Sequence, residues 1–245
     1  NEILIEDLKH NLTILSSDSL EGRETTKPGQ KKAADFIRNY FINNNIPPAT
    51  ENYFQKFNVQ VSDFTRTSLI IGLDTLTLMS DYFLFGSTND TTFNNAAIVD
   101  IDYGIIDGDY NNYLNKEVKN KIVLIKEGLP SNASVSSKWE SWRKKQKLAT
   151  EMGAIAVITV KKDFQNSVDR ISPFLLYPEM KMHKEQVFSS GLIPNFCISK
   201  NTYKKHLASN VSSLRCSFSV DINYKASSEN VLGYIEGGEL KDELL

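Results

Sequence analysis

Leucines at positions 4, 8, 12 and 15 recur at steps of three and four, with mostly polar residues between them. That spacing predicts a helix over residues 3–15 with one apolar stripe. A polar, Gly-containing stretch follows, and a second helix is predicted from about Pro28 to Asn43. Pro28 suits a first-turn position, and Ala33, Ile37, Tyr40 and Phe41 supply a buried face. Three asparagines and Pro47-Pro48 end it. The period then shortens to two: in residues 53–61, Phe57, Val59 and Val61 alternate onto one strand face. Residues 69–78 hold a Gly-Leu-Asp turn between apolar runs, the pattern of a hairpin. Short strands are predicted at 82–85, 96–101 and 121–126.

A longer helix is predicted over residues 136–152, closed by Gly153. Trp139, Trp142, Ala149 and Met152 share one face, and Lys and Arg occupy the others. It leads into the continuous apolar run 154–160 (AIAVITV), which reads as a strand buried on both sides. Strands at 193–198 and 214–222 follow, separated by a short helix near 201–208 capped by Ser199. Residues 230–236 read as a further strand, Gly237-Gly238 as a turn, and Leu244-Leu245 as the opening of another strand.

Residues 81–221 are therefore strand-rich, while 1–80 read helix–helix–strand–hairpin and 222–245 strand–turn–strand. The terminal pieces are too short to enclose a core alone. The expected fold class is α+β: a β-rich open barrel or sandwich with flanking helices, inserted into an interrupted and incomplete α/β domain. A length of 245 residues with 40% hydrophobic content suits this division.

Charge removes some functions. The 28 basic and 30 acidic side chains leave a net charge of -2, which gives no footing for a phosphate backbone, so nucleic acid is not an expected partner. No apolar run approaches the roughly 20 residues of a membrane span. The N-terminus lacks a leader pattern, so the chain is either cytoplasmic or numbered after a leader. Nothing in the sequence reports an oligomeric state.

Candidate chemistry is sparse. His10, His183 and His206 have no second His or carboxylate at a zinc-binding spacing, and there is no His-Glu-x-x-His or Cys-x-x-Cys. No catalytic residue is assigned: the Gly-x-Ser-x-Gly elbow and the phosphate loops are absent as well. Cys197 and Cys216 each lie in an apolar strand-like run, consistent with two buried thiols or with a cross-strand disulfide. Asp107 and Asp109 begin like a calcium loop, but Asn112 stands where glycine is needed and Val118 where a bidentate Glu is needed. A solvated turn is the simpler reading; a weak calcium site would draw on Asp100 or Asp102. Four sequons, at Asn11, Asn89, Asn132 and Asn210, are of the number chance supplies in a chain rich in Asn, Ser and Thr. Lys241 to Leu244 spells a retrieval signal, which is read only at a free C-terminus, and Leu245 follows it.

The order of segments carries more information. Asp18-Ser-Leu20-Glu-Gly22-Arg23, Pro28-Gly29, Ala33-Ala34-Asp35-Phe36-Ile37 and Tyr53-Phe54-Gln55-Lys56-Phe57 together resemble the N-terminal region of zinc aminopeptidases of the aminopeptidase Y and leucyl aminopeptidase type. Residues 118–126 (VKNKIVLIK) and 149–160 (ATEMGAIAVITV) resemble the protease-associated domain that many of these enzymes carry as an insert, with Asn120 where glycine is common. Residues 230–237 resemble the strand that re-enters the peptidase domain. The resemblance implies a periplasmic, envelope or secreted location and peptide substrates. It also implies a pair of zinc ions activating a bridging water, with a Glu as general base. In that family the zinc ligands follow the re-entering strand, so none falls on this chain, which is expected to gate access and to be inactive alone. Two other readings stay open: a non-catalytic binding module of transferrin-receptor layout, and a carboxypeptidase of the same architecture. Arg23, flanked by Glu21 and Glu24, is either a substrate-side residue near the cleft rim or one half of an ion pair that fixes its loop.

Overall fold

The computed structural model describes residues 4–85, 89–182, 191–209 and 211–237. Helix α1 (Ile5–Leu15) and helix α2 (Pro28–Asn43) open the chain. Strands β1 (Phe54–Ser62), β2 (Thr67–Ile71), β3 (Asp74–Thr75), β4 (Tyr82–Leu84) and β5 (Thr91–Asp100) follow. Then come β6 (Ile106–Asp107), β7 (Tyr110–Asn111) and β8 (Ile122–Lys126). Helix α3 (Trp142–Glu151), β9 (Ala156–Val160), helix α4 (Phe164–Leu175) and β10 (Glu179–Met182) come next. The last elements are β11 (Asn195–Ile198), helix α5 (Lys200–His206), β12 (Arg215–Val220) and β13 (Asn223–Val231). The fold is mixed α and β. Among the described residues, no helix is long and apolar enough to cross a membrane.

The chain divides into two compact units. The smaller holds residues 4–60, 181–182 and 225–237; the larger holds the remaining described residues between 61 and 224. The division falls after residues 60 and 224 rather than after 80 and 221. The hairpin β2–β3, grouped with the N-terminal piece by the sequence, pairs into the sheet of the larger unit through β12, from Cys216↔Ile71 to Val220↔Thr67. Its Leu69, Ile71 and Leu76 belong to that unit's core.

The larger unit is built on an eight-stranded sheet in the order β3-β2-β12-β5-β8-β9-β11-β4. Strands β5, β8, β9 and β11 run parallel, and β4 closes one edge antiparallel. Alternate residues of the parallel strands go to opposite faces, and both faces are covered. Ile122, Leu124, Ala156, Ile158, Phe196 and Ile198 join Phe218 in one cluster. Val123, Ile125 and Val157 pack with Ala149 of α3 on the other face. This explains the uninterrupted apolar runs in β8 and β9. Phe196 and Phe218 contact at 5.2 Å between ring centres, a pair that adds about 0.5–1.5 kcal/mol beyond burial. Further along the second face, Phe83 and Cys197 meet Val168 and Leu175 of α4.

Within the smaller unit, α2 is tied to β13. Lys31 forms an ion pair with Glu229 and donates to the Ser227 carbonyl at 3.0 Å, and the Ser228 hydroxyl donates to Gln30 Oε1 at 3.2 Å. The three-stranded sheet order is β10-β1-β13, with Val59 buried in β1.

Several expectations need correction. The stripe of α1 is not buried among the described residues: no residue of this helix is buried, Leu8 and Leu12 are 50% and 65% exposed, and Leu15 is half-buried. On α2 the buried residues are Gly29, Ala33 and Ala34, while Tyr40 is exposed, because small side chains allow close approach where a tyrosine does not fit. The helix expected over 136–152 is two pieces, a 3-10 turn (Ser137–Glu140) and α3, separated by extended Ser141. The strand expected at 230–236 lies earlier, as β13; beyond it, among the described residues, Gly233 forms an isolated bridge to Pro48. A side chain at Gly233 would meet Phe41 and Ile46 within about 3.1 Å, so glycine is needed there. Helix α4, capped by Asp163, and strand β10 were not expected. His183, Asn210, Gly238 and the residues from 241 to 245 lie outside the described residues.

Candidate functional site

The loop between α1 and α2 carries the segment that resembles zinc aminopeptidases most closely. Four of its residues have left-handed backbone: Glu21 (φ 49), Gly22 (φ 69), Arg23 (φ 57) and Thr26 (φ 74). For a non-glycine residue this costs about 1–2 kcal/mol, and for β-branched Thr26 it is a genuine outlier. Such strain persists only where the surroundings impose it. Here Leu20 is buried, Ser17 and Ser19 share a hydroxyl hydrogen bond of 2.7 Å, and the Lys32 ammonium donates to the Ser19 carbonyl at 3.2 Å. Gly29 sits directly on Leu20: a Cβ there would lie 1.9 Å from the Leu20 carbonyl oxygen.

Arg23 rides on this loop, exposed. Among the described residues its side chain has no ion pair or hydrogen bond. Backbone packing at Leu20 and Gly29 helps to fix the loop.

Asp107 ends β6 and pairs with Tyr110 across a two-residue turn, Gly108-Asp109, with Gly108 at φ 59. Asp107 accepts the Ser136 backbone N–H at 2.6 Å and pairs with Lys138 at 3.2 Å. The Ser136 hydrogen bond, then Lys138, holds its carboxyl below the usual range. A cation at Asp107 would have to displace that lysine. Asp109 is exposed at the tip. Asp100 accepts the Asp102 N–H at 2.8 Å, and Asp102 pairs with Lys126 at 2.8 Å. Among the described residues, no three His, Cys, Asp or Glu side chains come together as a metal site.

His206 does meet a carboxylate, across the hairpin: its Nδ1 lies 3.0 Å from Asp74 Oδ2. His10 lines an open groove of about 390 Å³ with Asp7, Phe36 and Tyr40. The two thiols are free. Cys216 on β12 and Cys197 on β11 are separated by three strands in the sheet order and pack in separate clusters, so the cross-strand disulfide does not form. Burial pushes both thiols up to about 12.

The second place of chemical interest went unread in the sequence. On the second face of the large sheet, Ile125, Thr159 and Cys197 lie side by side across β8, β9 and β11. They form the floor of a cavity of about 50 Å³ between the two apolar clusters of that face. Phe85 and Trp142, 4.4 Å apart, form one wall. Lys145 of α3, 2% exposed, lines it, donating to the carbonyls of Gly128 at 2.6 Å and Lys126 at 3.4 Å. Burial is the main cause lowering the Lys145 ammonium to about 8. Asn195, also buried, takes the Thr159 hydroxyl on Oδ1 at 2.8 Å. Two signals were available. Trp142, Lys145, Gln146 and Ala149 share the three-and-four spacing of a buried stripe, and Asn195 interrupts an apolar strand.

No family model matches the chain, and no curated protein matches it. Among solved structures, it is similar to an aminopeptidase from Aneurinibacillus sp. strain AM-1, with a TM-score of 0.41, 15% identity, and coverage of 96% of this chain and 50% of that one. It is also similar to the zinc aminopeptidase BSAP from Bacillus subtilis in two structures, with TM-scores of 0.41 and 0.40, 15% identity, and coverage of 95% and 48%. The chain thus spans about half the length of these enzymes.

Proposed function

We propose that the chain is a portion of a zinc aminopeptidase of the type whose segments it resembles. On this reading the smaller unit is part of the peptidase domain, and the larger unit is a protease-associated domain that limits which peptides reach the metal centre. The observation that carries the reading is the loop from Asp18 to Gly29. The residues of the family pattern have steric tasks in it: Leu20 is buried, Gly22 is left-handed, Pro28 starts a helix, and Gly29 touches the Leu20 carbonyl. A chance match would leave such positions without a reason.

The described residues do not fit a zinc centre, since no group of three ligating side chains occurs among them. No catalytic step is therefore derived for this chain. Its contribution is positioning. Arg23, permanently charged and suited to bidentate contacts, stands ready on a strained loop to meet a peptide carboxylate or carbonyl. The same reading carries a periplasmic, envelope or secreted location.

The test is made on the protein encoded by the complete reading frame. It should bind zinc and release p-nitroaniline from aminoacyl p-nitroanilides. Arg23→Ala should lower kcat/KM by about tenfold, or roughly 1.4 kcal/mol, at unchanged melting temperature. A protein that takes up no zinc and cleaves no aminoacyl substrate would sink the aminopeptidase reading. Activity and stability falling together in Arg23→Ala would return Arg23 to a purely structural role.

A further inference from the structure

We propose that the cavity under Lys145 is a binding site for a small carboxylate, held by the Lys145 ammonium and the Asn195 amide. The inference is independent of the peptidase reading and concerns the larger unit alone.

Among the lysines of the cavity, Lys145 stands outside any ion pair. Lys126 is paired with Asp102, and Lys161 with Glu127, whose other oxygen takes the Lys162 backbone N–H at 2.8 Å. Lys145 forms no ion pair among the described residues; it donates to two backbone carbonyls, one at the long distance of 3.4 Å, and lies over the Tyr103 ring at 5.6 Å. The carboxylates that act on it, Glu127 and Asp102, are each paired with another lysine. An ammonium offers three donors, so an anion in the cavity would supply the missing acceptor and a direct charge partner.

A second group supports the same ligand. Asn195 is 1% exposed, and its one hydrogen bond from the side chain is the Thr159 contact on Oδ1. Its amide N–H donors have no protein partner among the described residues. Asn195 itself lines the cavity, where a ligand can take these hydrogens. Glu140, the carboxylate of the lining with no ion pair among the described residues, is exposed, where water screens it.

Size and polarity select the class. A single water needs about 10–15 Å³ of such space, so about 50 Å³ takes several water-sized groups. Two carboxylate oxygens and a short alkyl group fit that description. The Phe85–Trp142 wall suits the alkyl end, and a single ammonium outside any ion pair matches a monoanion better than a phosphate dianion. The carboxylate has two possible sources, a free short-chain acid or the C-terminus of a peptide.

The test uses the whole chain and 13C-labelled acetate, followed by NMR at constant ionic strength with chloride as the control. Saturable shift or broadening of the labelled acetate signal is expected, with a dissociation constant of about 1–10 mM. Lys145→Met should weaken binding by at least about tenfold. Asn195→Asp keeps the acceptor for Thr159 while placing a negative charge beside the ligand, and should do the same; it carries the test if Lys145→Met does not fold. N-acetyl-Gly-Ala and its C-terminal amide separate the sources. Acid binding without amide binding identifies a peptide terminus, and acetate binding without either identifies a free acid. No saturable shift up to about 100 mM acetate, an equal response in Lys145→Met, or equal binding of peptide acid and amide would overturn the proposal.

Discussion

Strand β8 of the larger unit buries Ile122, Val123, Leu124 and Ile125, two toward each face of its sheet. The N-terminal segment of the smaller unit leaves Leu4, Ile5, Leu8 and Leu12 at least half exposed. Each segment carries four large apolar side chains, so the difference in burial lies in what surrounds them. The larger unit has a sheet covered on both faces and cores built from Phe, Ile, Leu and Val. The smaller has Leu20, Ala33, Ala34 and Val59, of which two are alanines. Hydrophobic stabilisation scales with area removed from water, at about 25 cal/mol per Å². The larger unit therefore carries its own stability, while the smaller draws little from the apolar surface it possesses.

The strongest way to break this comparison is to separate the units. Residues 61–224 produced alone should unfold in one cooperative urea transition, whereas residues 1–60 alone should show none; a non-cooperative 61–224 would end the argument. Next in size, Phe218→Ala should cost about 3–5 kcal/mol by urea denaturation, since it empties the centre of the largest cluster. Gly29→Ala should cost at least about 3 kcal/mol in the smaller unit, because the new methyl overlaps a backbone oxygen rather than a yielding side chain. Protection of α2 amides in hydrogen exchange would report that loss locally.

A smaller effect depends on pH. The folded-state pKa of Lys145, about 8, lies below its ordinary 10.5. Across that interval the unfolded chain holds the proton more firmly, so the lysine's contribution to stability rises with pH. The thiols, raised to about 12, act in the opposite sense above about 9, but they are shared by any variant that keeps them. Wild type measured against Lys145→Met should therefore gain about 1 kcal/mol between pH 7 and 10, after discounting for residual solvent. A flat difference would mean that the lysine is effectively hydrated. Least of all, Leu12→Ser should change stability by under about 0.5 kcal/mol. A loss above about 2 kcal/mol would show that the exposed stripe of α1 is covered in solution.

The pattern of residues disclosed the parts of the fold where period and burial agree. Strands β8 and β9 were legible because both their faces are apolar, and α2 because Pro28 and the asparagines punctuate it. Helix α4 was not legible: Pro173 stands inside it, and a proline is read as a stop. The first half of β5 was missed because Thr91, Thr92, Asn94 and Asn95 are polar on an exposed edge of the strand, and β12 supplies its order from a distance. The candidate sites divide in the same way. The strained loop at Arg23 announced itself through its glycines and proline. The Lys145 cavity was hidden, since lysines on a helix are read as solvated. Only the spacing of Lys145 to Trp142 and Ala149 set it apart from its neighbours.

The two deeply buried thiols have a practical use. Protonated and shielded, Cys197 and Cys216 should resist an alkylating reagent for as long as the sheet stays intact. The labelling rate then measures how often the sheet opens. Because the two cysteines sit four strands apart, unequal rates would reveal an edge that frays before the rest, whereas matched rates would mean that the larger unit opens as one body.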